Sequence, residues 1–91
     1  MSAFGIEPIN DLQEFDAAAI GAGVDLVDSG STNGPARILR VIDPGAGGLD
    51  VTMAGSGGAV RSLTVSAGEE LIGFFVTIRG TSSALRVRAG W

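Results

Sequence analysis

The 91-residue chain contains no cysteine, no histidine, no lysine and no tyrosine. The lack of cysteine excludes disulfide cross-links, thiolate zinc sites and thiol nucleophiles within the chain. The lack of histidine removes both the most common general base and the most common metal ligand. We therefore expect a protein that is not an enzyme and that uses neither a cofactor nor a metal ion.

Long apolar runs and clustered positive charge are missing as well. No apolar run reaches the roughly 18 residues of a membrane span, and the start, MSAFGIEPIND, lacks the basic and apolar regions of a signal peptide. Six basic and ten acidic residues give a net charge of −4 and a pI near 4.4. Because nucleic acids and anionic membranes attract clustered positive charge, we expect neither as a partner. We expect the protein to be made and folded in a cytoplasm.

Glycine is abundant, with 15 residues, and separates short stretches in which apolar and polar residues alternate. Alternation with a period of two is typical of half-buried strands, and glycine clusters are typical of hairpin turns. The turns are too short to hold crossover helices, so the fold class is all-β, a small antiparallel β-sandwich or barrel over residues 23–91. Its six predicted strands lie at residues 24–27, 38–42, 49–53, 61–66, 71–78 and 85–89.

The first 22 residues lack this alternation and are predicted to form an N-terminal arm. Asn10 or Asp11 would cap one short helix over residues 12–19, which needs a surface to pack on. Three fates stay open for the arm: packing across its own domain, docking on a neighbouring subunit, or disorder. Its apolar candidates for a partner contact are Phe4, Ile6, Ile9, Leu12 and Phe15.

Carboxylates are the remaining candidates for catalysis or ion binding. Glu69 and Glu70 are adjacent in sequence at the start of a strand, so they point to opposite faces and cannot act on one substrate atom. Four aspartates lie in or beside turns, where this residue commonly bonds its own backbone, and the spacing of an EF-hand is absent. These four are Asp25, Asp28, Asp43 and Asp50.

The end of the chain offers two arginines and a tryptophan. Arg86 and Arg88 share one face of the last predicted strand, where they would pair with a carboxylate on a neighbouring strand or contact an acidic partner. Tryptophan is enriched where interfaces bury most energy, so Trp91 lies either at such an interface or folded back on its own sheet. The candidate partner interface comprises Phe4, Ile6, Ile9, Leu12, Phe15, Arg86, Arg88 and Trp91.

Seven segments follow one another along the chain: FDAAAI (15–20), DSGS (28–31), PARILRV (35–41), GLDVTMAGSGG (48–58), VSAG (65–68), LIGFFVTIRGT (71–81) and AL (84–85). In this order they resemble the spike-base family of gene-transfer agents and alphaproteobacterial phages, a family of small phage head proteins. The resemblance covers most of residues 15–89.

The resemblance implies a non-enzymatic structural protein on the outside of a bacteriophage capsid, made in the cytoplasm of the bacterial host. It would be a head decoration (cement) protein or a spike base. Its partners would be the major capsid protein, further copies of itself in a trimer or pentamer, and, for a spike base, a head fibre protein. The longer loop at residues 43–48 and the ending at residues 86–91 depart from the family, which leaves the choice of role open.

An alternative from another class is a carbohydrate-binding β-sandwich module, because β-sandwiches commonly carry such sites. Carbohydrate sites usually display aromatic platforms, and the chain has only Trp91 and four phenylalanines. Phe74 and Phe75 are adjacent in the most apolar strand, so at most one of them points outward.

Overall fold

The computed structural model describes residues 11–30 and 34–91, which form seven strands and two short helices. The helices are α1 (Ala17–Ala22) and α2 (Leu26–Ser29). The strands are β1 (Leu12–Phe15), β2 (Val24–Asp25), β3 (Ala36–Asp43), β4 (Gly48–Met53), β5 (Val60–Thr64), β6 (Glu70–Ile78) and β7 (Arg86–Gly90).

All strands belong to one antiparallel sheet, in the order β1-β7-β3-β6-β4-β5, with β2 paired to the last residues of β6. β6 is the longest strand, with nine residues; it pairs with β3 mainly through its first part and with β4 through its last part. The predicted class, a small all-β antiparallel domain of the sandwich or barrel type, is confirmed.

The alternation of apolar and polar residues in the sequence matches the alternation of buried and exposed residues in the sheet. Leu39 and Val41 of β3 are fully buried, and the register places them opposite Ala89 and Val87 of β7, which are also buried. Cross-strand apolar pairs of this kind stabilise a sheet and build its core. The core comprises Ile20, Val24, Leu26, Ala36, Leu39, Val41, Leu49, Val51, Val65, Phe75, Ile78, Ala84, Val87, Ala89 and Trp91.

The predicted helix over residues 12–19 is wrong in its position. Leu12–Phe15 forms β1 because the edge of β7 offers it hydrogen-bonding partners, and the helix begins only at Ala17. Asp16, not Asn10 or Asp11, is the cap: its carboxylate accepts a hydrogen bond from the Ala19 N–H at 2.9 Å. Ile20 is buried in the core, so the described part of the predicted arm packs within its own domain.

The first predicted strand, residues 24–27, is only half correct. Val24–Asp25 pairs with β6 as β2, but the chain then turns into α2. The Asp25 carboxylate causes the change, because it accepts hydrogen bonds from the backbone N–H groups of Val27 and Asp28. The other five predicted strands correspond to β3–β7.

Trp91 lies in the core with 1% of its surface exposed. Its indole N–H donates to the carbonyl oxygens of Leu26 at 2.8 Å and Gly34 at 2.9 Å, and its backbone N–H donates to the Asp11 carbonyl at 2.9 Å. Gly30 makes room for the ring, since a Cβ there would lie 2.3 Å from the indole nitrogen. The placement of Trp91 at a partner interface is therefore wrong, because the ring folds back on its own domain.

We predict that Trp91→Phe lowers the free energy of unfolding by about 2–4 kcal/mol. The phenyl ring leaves part of the cavity unfilled and leaves two buried carbonyl groups without their donor. Urea unfolding followed by far-ultraviolet circular dichroism measures this loss without using tryptophan fluorescence. The exposed Leu12→Ala is the control, with an expected change within about 0.5 kcal/mol; equal losses in both variants would contradict the prediction.

Candidate interaction surface

The surface of β1, β7, β3 and β6 that points away from the core is called the outer face here. The strand register aligns four charged residues across it, with two carboxylates at the ends and two guanidinium groups between them. In order, this charged row consists of Glu14, Arg88, Arg40 and Glu70.

Glu14 holds both arginines that the sequence singled out on β7. Its carboxylate lies 3.3 Å from Nη2 of Arg88 and 3.6 Å from Nε of Arg86. The prediction that Arg86 and Arg88 pair with a carboxylate on a neighbouring strand is confirmed. All three side chains are substantially exposed, so the pairs contribute at most about 1 kcal/mol each and mainly orient the arginines.

Arg40 differs from its two neighbours on β7. It is exposed and forms no salt bridge with any residue that the structure describes, although the register places it between Arg88 and Glu70. The guanidinium groups of Arg88 and Arg40 therefore lie side by side in the middle of the row. The carboxylate of Glu14 forms salt bridges only with Arg86 and Arg88 among the described residues. A carboxylate from a partner would meet complementary charge at Arg40.

A second row of the outer face is apolar. Leu12 of β1, Gly90 of β7, Ile38 of β3 and Ile72 of β6 are in register, and Phe74 follows two residues after Ile72 on the same face. Leu12 is 60% exposed, Ile72 65% and Phe74 59%, while Ile38 is half-buried. We call Leu12, Ile38, Ile72 and Phe74 the apolar strip. Adjacent exposed apolar side chains of this kind mark contact sites for other molecules.

The candidate interface read from the sequence is only partly brought together. Leu12, Arg86 and Arg88 lie on the outer face, whereas Phe15 points inward and packs against the core. Phe4, Ile6 and Ile9 lie outside the described residues.

Sequence reasoning missed Ile38, Ile72 and Phe74. Residues 71–78 form the most apolar predicted strand, and the sequence analysis left open whether Phe74 or Phe75 points outward. The usable signal was the alternation that begins at Glu70, because Ile72 and Phe74 must share the face of that charged residue. The structure agrees: Phe75 is buried and Phe74 is exposed.

Aspartates in turns bond the backbone, as predicted for Asp25 and Asp43. Asp25 caps α2, and the Asp43 carboxylate accepts a hydrogen bond from the Gly45 N–H at 3.0 Å. Among residues 11–30 and 34–91, no group of three or more acidic side chains is placed to hold a metal ion.

The pKa of Asp50 is displaced from its ordinary value. The Thr81 hydroxyl donates to its carboxylate at 2.6 Å. This bond, a second from the Ser62 hydroxyl and the charge of Arg79 together lower the pKa of Asp50 below its ordinary value, against a smaller opposing effect of burial. The Asp50 backbone also binds the loop after β6, through Ser82 and Arg79. Asp50 therefore anchors that loop to β4.

Two clefts of the described surface contain no converging set of reactive groups. The larger one, about 610 Å³, lies between the start of α1 and the end of β3. Its polar side chains are already engaged: Asp16 caps α1, Asp43 binds the Gly45 N–H, and Arg86 pairs with Glu14. A second cleft of about 380 Å³ lies beside β2 and the end of β6.

We predict that Thr81→Val raises the pKa of Asp50 toward the ordinary aspartate value, because it removes the largest stabilising contact of the ionised form. A lowered folded-state pKa stabilises the fold above the ordinary aspartate pKa, and this stabilisation is lost as the pH falls through the lowered value. The variant should therefore be less stable than the wild type at neutral pH, and the difference should shrink as the pH falls through the lowered pKa of the wild type.

Nuclear magnetic resonance titration of the Asp50 carboxyl carbon measures the pKa directly. Thr64→Val is the matched control, since Thr64 is exposed on β5 and forms no hydrogen bond with Asp50. A midpoint that is the same in both variants would show that the hydroxyl of Thr81 does not set the pKa.

Comparison with known proteins assigns no family to this geometry. No protein-family model, no curated protein and no solved structure matches the chain. Within the described residues, no helix is long and apolar enough to cross a membrane. A functional proposal therefore stands on the outer face and on the sequence resemblance.

Proposed function

We propose that the protein is a non-enzymatic structural protein of a phage virion that binds the outside of the capsid, as a decoration (cement) or head spike-base protein. The observation that carries the proposal is the outer face, where an exposed apolar strip lies beside Arg40, an exposed arginine that forms no salt bridge with the described residues. The resemblance to the spike-base family supports the capsid exterior as the place of binding.

The outer face has the properties of a surface that binds another protein. Burying the apolar strip would contribute about 25 cal/mol for each Å² removed from water. Arginine and aromatic side chains are enriched in the cores of protein interfaces, and the outer face provides Arg40 and Phe74. Because the strip lies across four hydrogen-bonded strands, its backbone is already ordered before binding. Little backbone conformational entropy is therefore lost when a partner binds.

These features define the partner surface as well. It would offer apolar side chains to the strip and a carboxylate to Arg40, which is a chemistry available on the major capsid protein. A cement protein works in many copies, so weak individual contacts are multiplied by avidity. Each copy that bridges capsid subunits adds a contact that must break before the shell opens.

A carbohydrate-binding module is the competing proposal, supported by the exposed ring of Phe74. That ring has no aromatic neighbour on the outer face among the described residues, because Phe75 and Trp91 are buried and Phe15 points inward. A single ring is a small platform for a sugar, which favours the protein partner. A glycan titration separates the two functions.

We predict that the double variant Ile72→Glu/Phe74→Glu lowers capsid occupancy at least tenfold while the thermal midpoint stays within a few degrees of the wild type. The two charges replace two of the three strongly exposed side chains of the strip and disturb no core residue. Occupancy is measured by co-sedimentation with shells assembled from the major capsid protein of the same genome.

Leu85→Glu is the matched control, since Leu85 is 46% exposed and lies outside the strip. Wild-type occupancy of the double variant would overturn the role of the outer face. Glycan binding that the double variant abolishes, without binding to shells, would establish the carbohydrate module instead.

The role of the arm is tested by deleting residues 1–10, which removes Phe4, Ile6 and Ile9. The deletion stops before β1, because β1 and Ile20 belong to the folded domain. An arm that docks on a neighbouring subunit predicts lower occupancy with an unchanged unfolding midpoint. An arm that packs on its own domain predicts a lower midpoint.

A further inference from the structure

β5 ends the sheet on the side opposite β1. Among the described residues its only strand partner is β4, and four of its five residues are exposed. Within residues 11–30 and 34–91, no backbone hydrogen bond reaches its other edge. An edge of this kind presents unpaired N–H and C=O groups to any strand that fits them.

The hydrogen bonds of β4 show which groups these are. The Asp50 N–H donates to Ser82 Oγ and the Asp50 carbonyl accepts from the Arg79 N–H, so both groups point away from β5. In an antiparallel strand, successive residues direct their backbone groups to opposite sides. Leu49 and Val51 therefore bond to β5, where their register partners are Leu63 and Arg61.

The intervening residues of β5 must then point to the open edge. These residues are Val60, Ser62 and Thr64. Each directs one N–H and one C=O outward, so the open edge presents six backbone groups. Val65 supports the assignment, since its N–H points inward to the carbonyl of Gly47 at 2.8 Å.

The two edges of the sheet are protected to different degrees. β1 has four residues and a helix immediately after it, and the Gln13 side chain beside it binds Asp11 and the Ser29 carbonyl. β5 has no proline, no register shift against β4 and one charged residue, Arg61. The usual devices that prevent strand addition are therefore weakest at β5.

We propose that β5 pairs antiparallel with β5 of a second copy of this chain, about a two-fold axis at Ser62. Ser62 then exchanges two hydrogen bonds with Ser62 of the partner subunit. Val60 faces Thr64 of the partner subunit, and Thr64 faces Val60 of the partner subunit. All six outward groups of each copy are satisfied, by six hydrogen bonds between the copies.

The side chains fit this register as well. Arg61 lies opposite Leu63 of the partner subunit, so no like charges face each other and the arginine stem covers a leucine.

Because the outward residues are symmetric about Ser62, an identical strand satisfies the whole edge, which favours a second copy over an unrelated strand. The contact is isologous and closes at two copies, unlike the expected trimer or pentamer. It is independent of capsid binding.

Light scattering of the purified full chain tests the proposal. We expect a mass of twice 9.1 kDa for the wild type and 9.1 kDa for Ser62→Pro. Proline removes the N–H of Ser62, which faces the open edge, so pairing with β4 keeps its hydrogen bonds. Ser62→Ala is the matched control: it loses the same hydroxyl contact with Asp50 but keeps the N–H, and should remain a dimer.

Amide hydrogen exchange on the wild type gives a second measurement that needs no variant to fold. Dimerisation predicts that the N–H groups of Val60, Ser62 and Thr64 become protected as the protein concentration rises. A wild-type mass of 9.1 kDa at all concentrations, or a folded Ser62→Pro that remains dimeric, overturns the proposal. The proposal is also overturned if the protein is a monomer and its β5 edge amides become protected only when capsid shells are added. That result would show that the β5 edge binds the capsid.

Discussion

The indole N–H of Trp91 bonds the backbone on both sides of the loop that leads into β3, at Leu26 and at Gly34. The backbone N–H of the same residue bonds Asp11, immediately before β1. One residue after the end of β7 therefore positions α2 and the entry to β3 through its side chain, and the start of β1 through its backbone. Buried polar groups are costly when unpaired, so these hydrogen bonds hold the three segments against the core. The absence of a side chain at Gly30 is part of the same arrangement, because the ring occupies that space.

The outer face is a consequence of this arrangement. Once β1 lies on β7, Glu14 meets Arg86 and Arg88, and Leu12 joins the row of Ile38 and Ile72 across the bare backbone of Gly90. Four segments that are far apart in sequence thereby build one surface. The same pairing covers the edge of β7, and the short β1 with α1 directly after it leaves β5 as the less protected edge of the sheet. The face and the edge are separate surfaces, and a dimer formed through β5 leaves two apolar strips uncovered. A dimer that carries two apolar strips would bind a shell of repeated subunits more tightly than a monomer with one strip.

Much of the fold was accessible from sequence because its causes are local. Alternation and glycine turns located β3 to β7 and the all-β class, and the turn aspartates Asp25 and Asp43 bond the backbone as expected. The misplaced helix and the shortened first strand have a local cause too. In both places an aspartate, Asp16 or Asp25, starts a short helix where the apolar pattern is ambiguous.

The sequence by itself determined the alternation of β3 to β7, the position of most turns and the absence of thiol and imidazole chemistry. Only the tertiary structure decided that Leu12–Phe15 is a strand, that Trp91 is buried, and that Ile72 and Phe74 lie beside Leu12 on an exposed face. The physical reason is that a strand obtains its hydrogen bonds from a partner many residues away. Local sequence sets which side chains alternate, but the pairing of distant strands decides which alternating face is buried and which edge stays open.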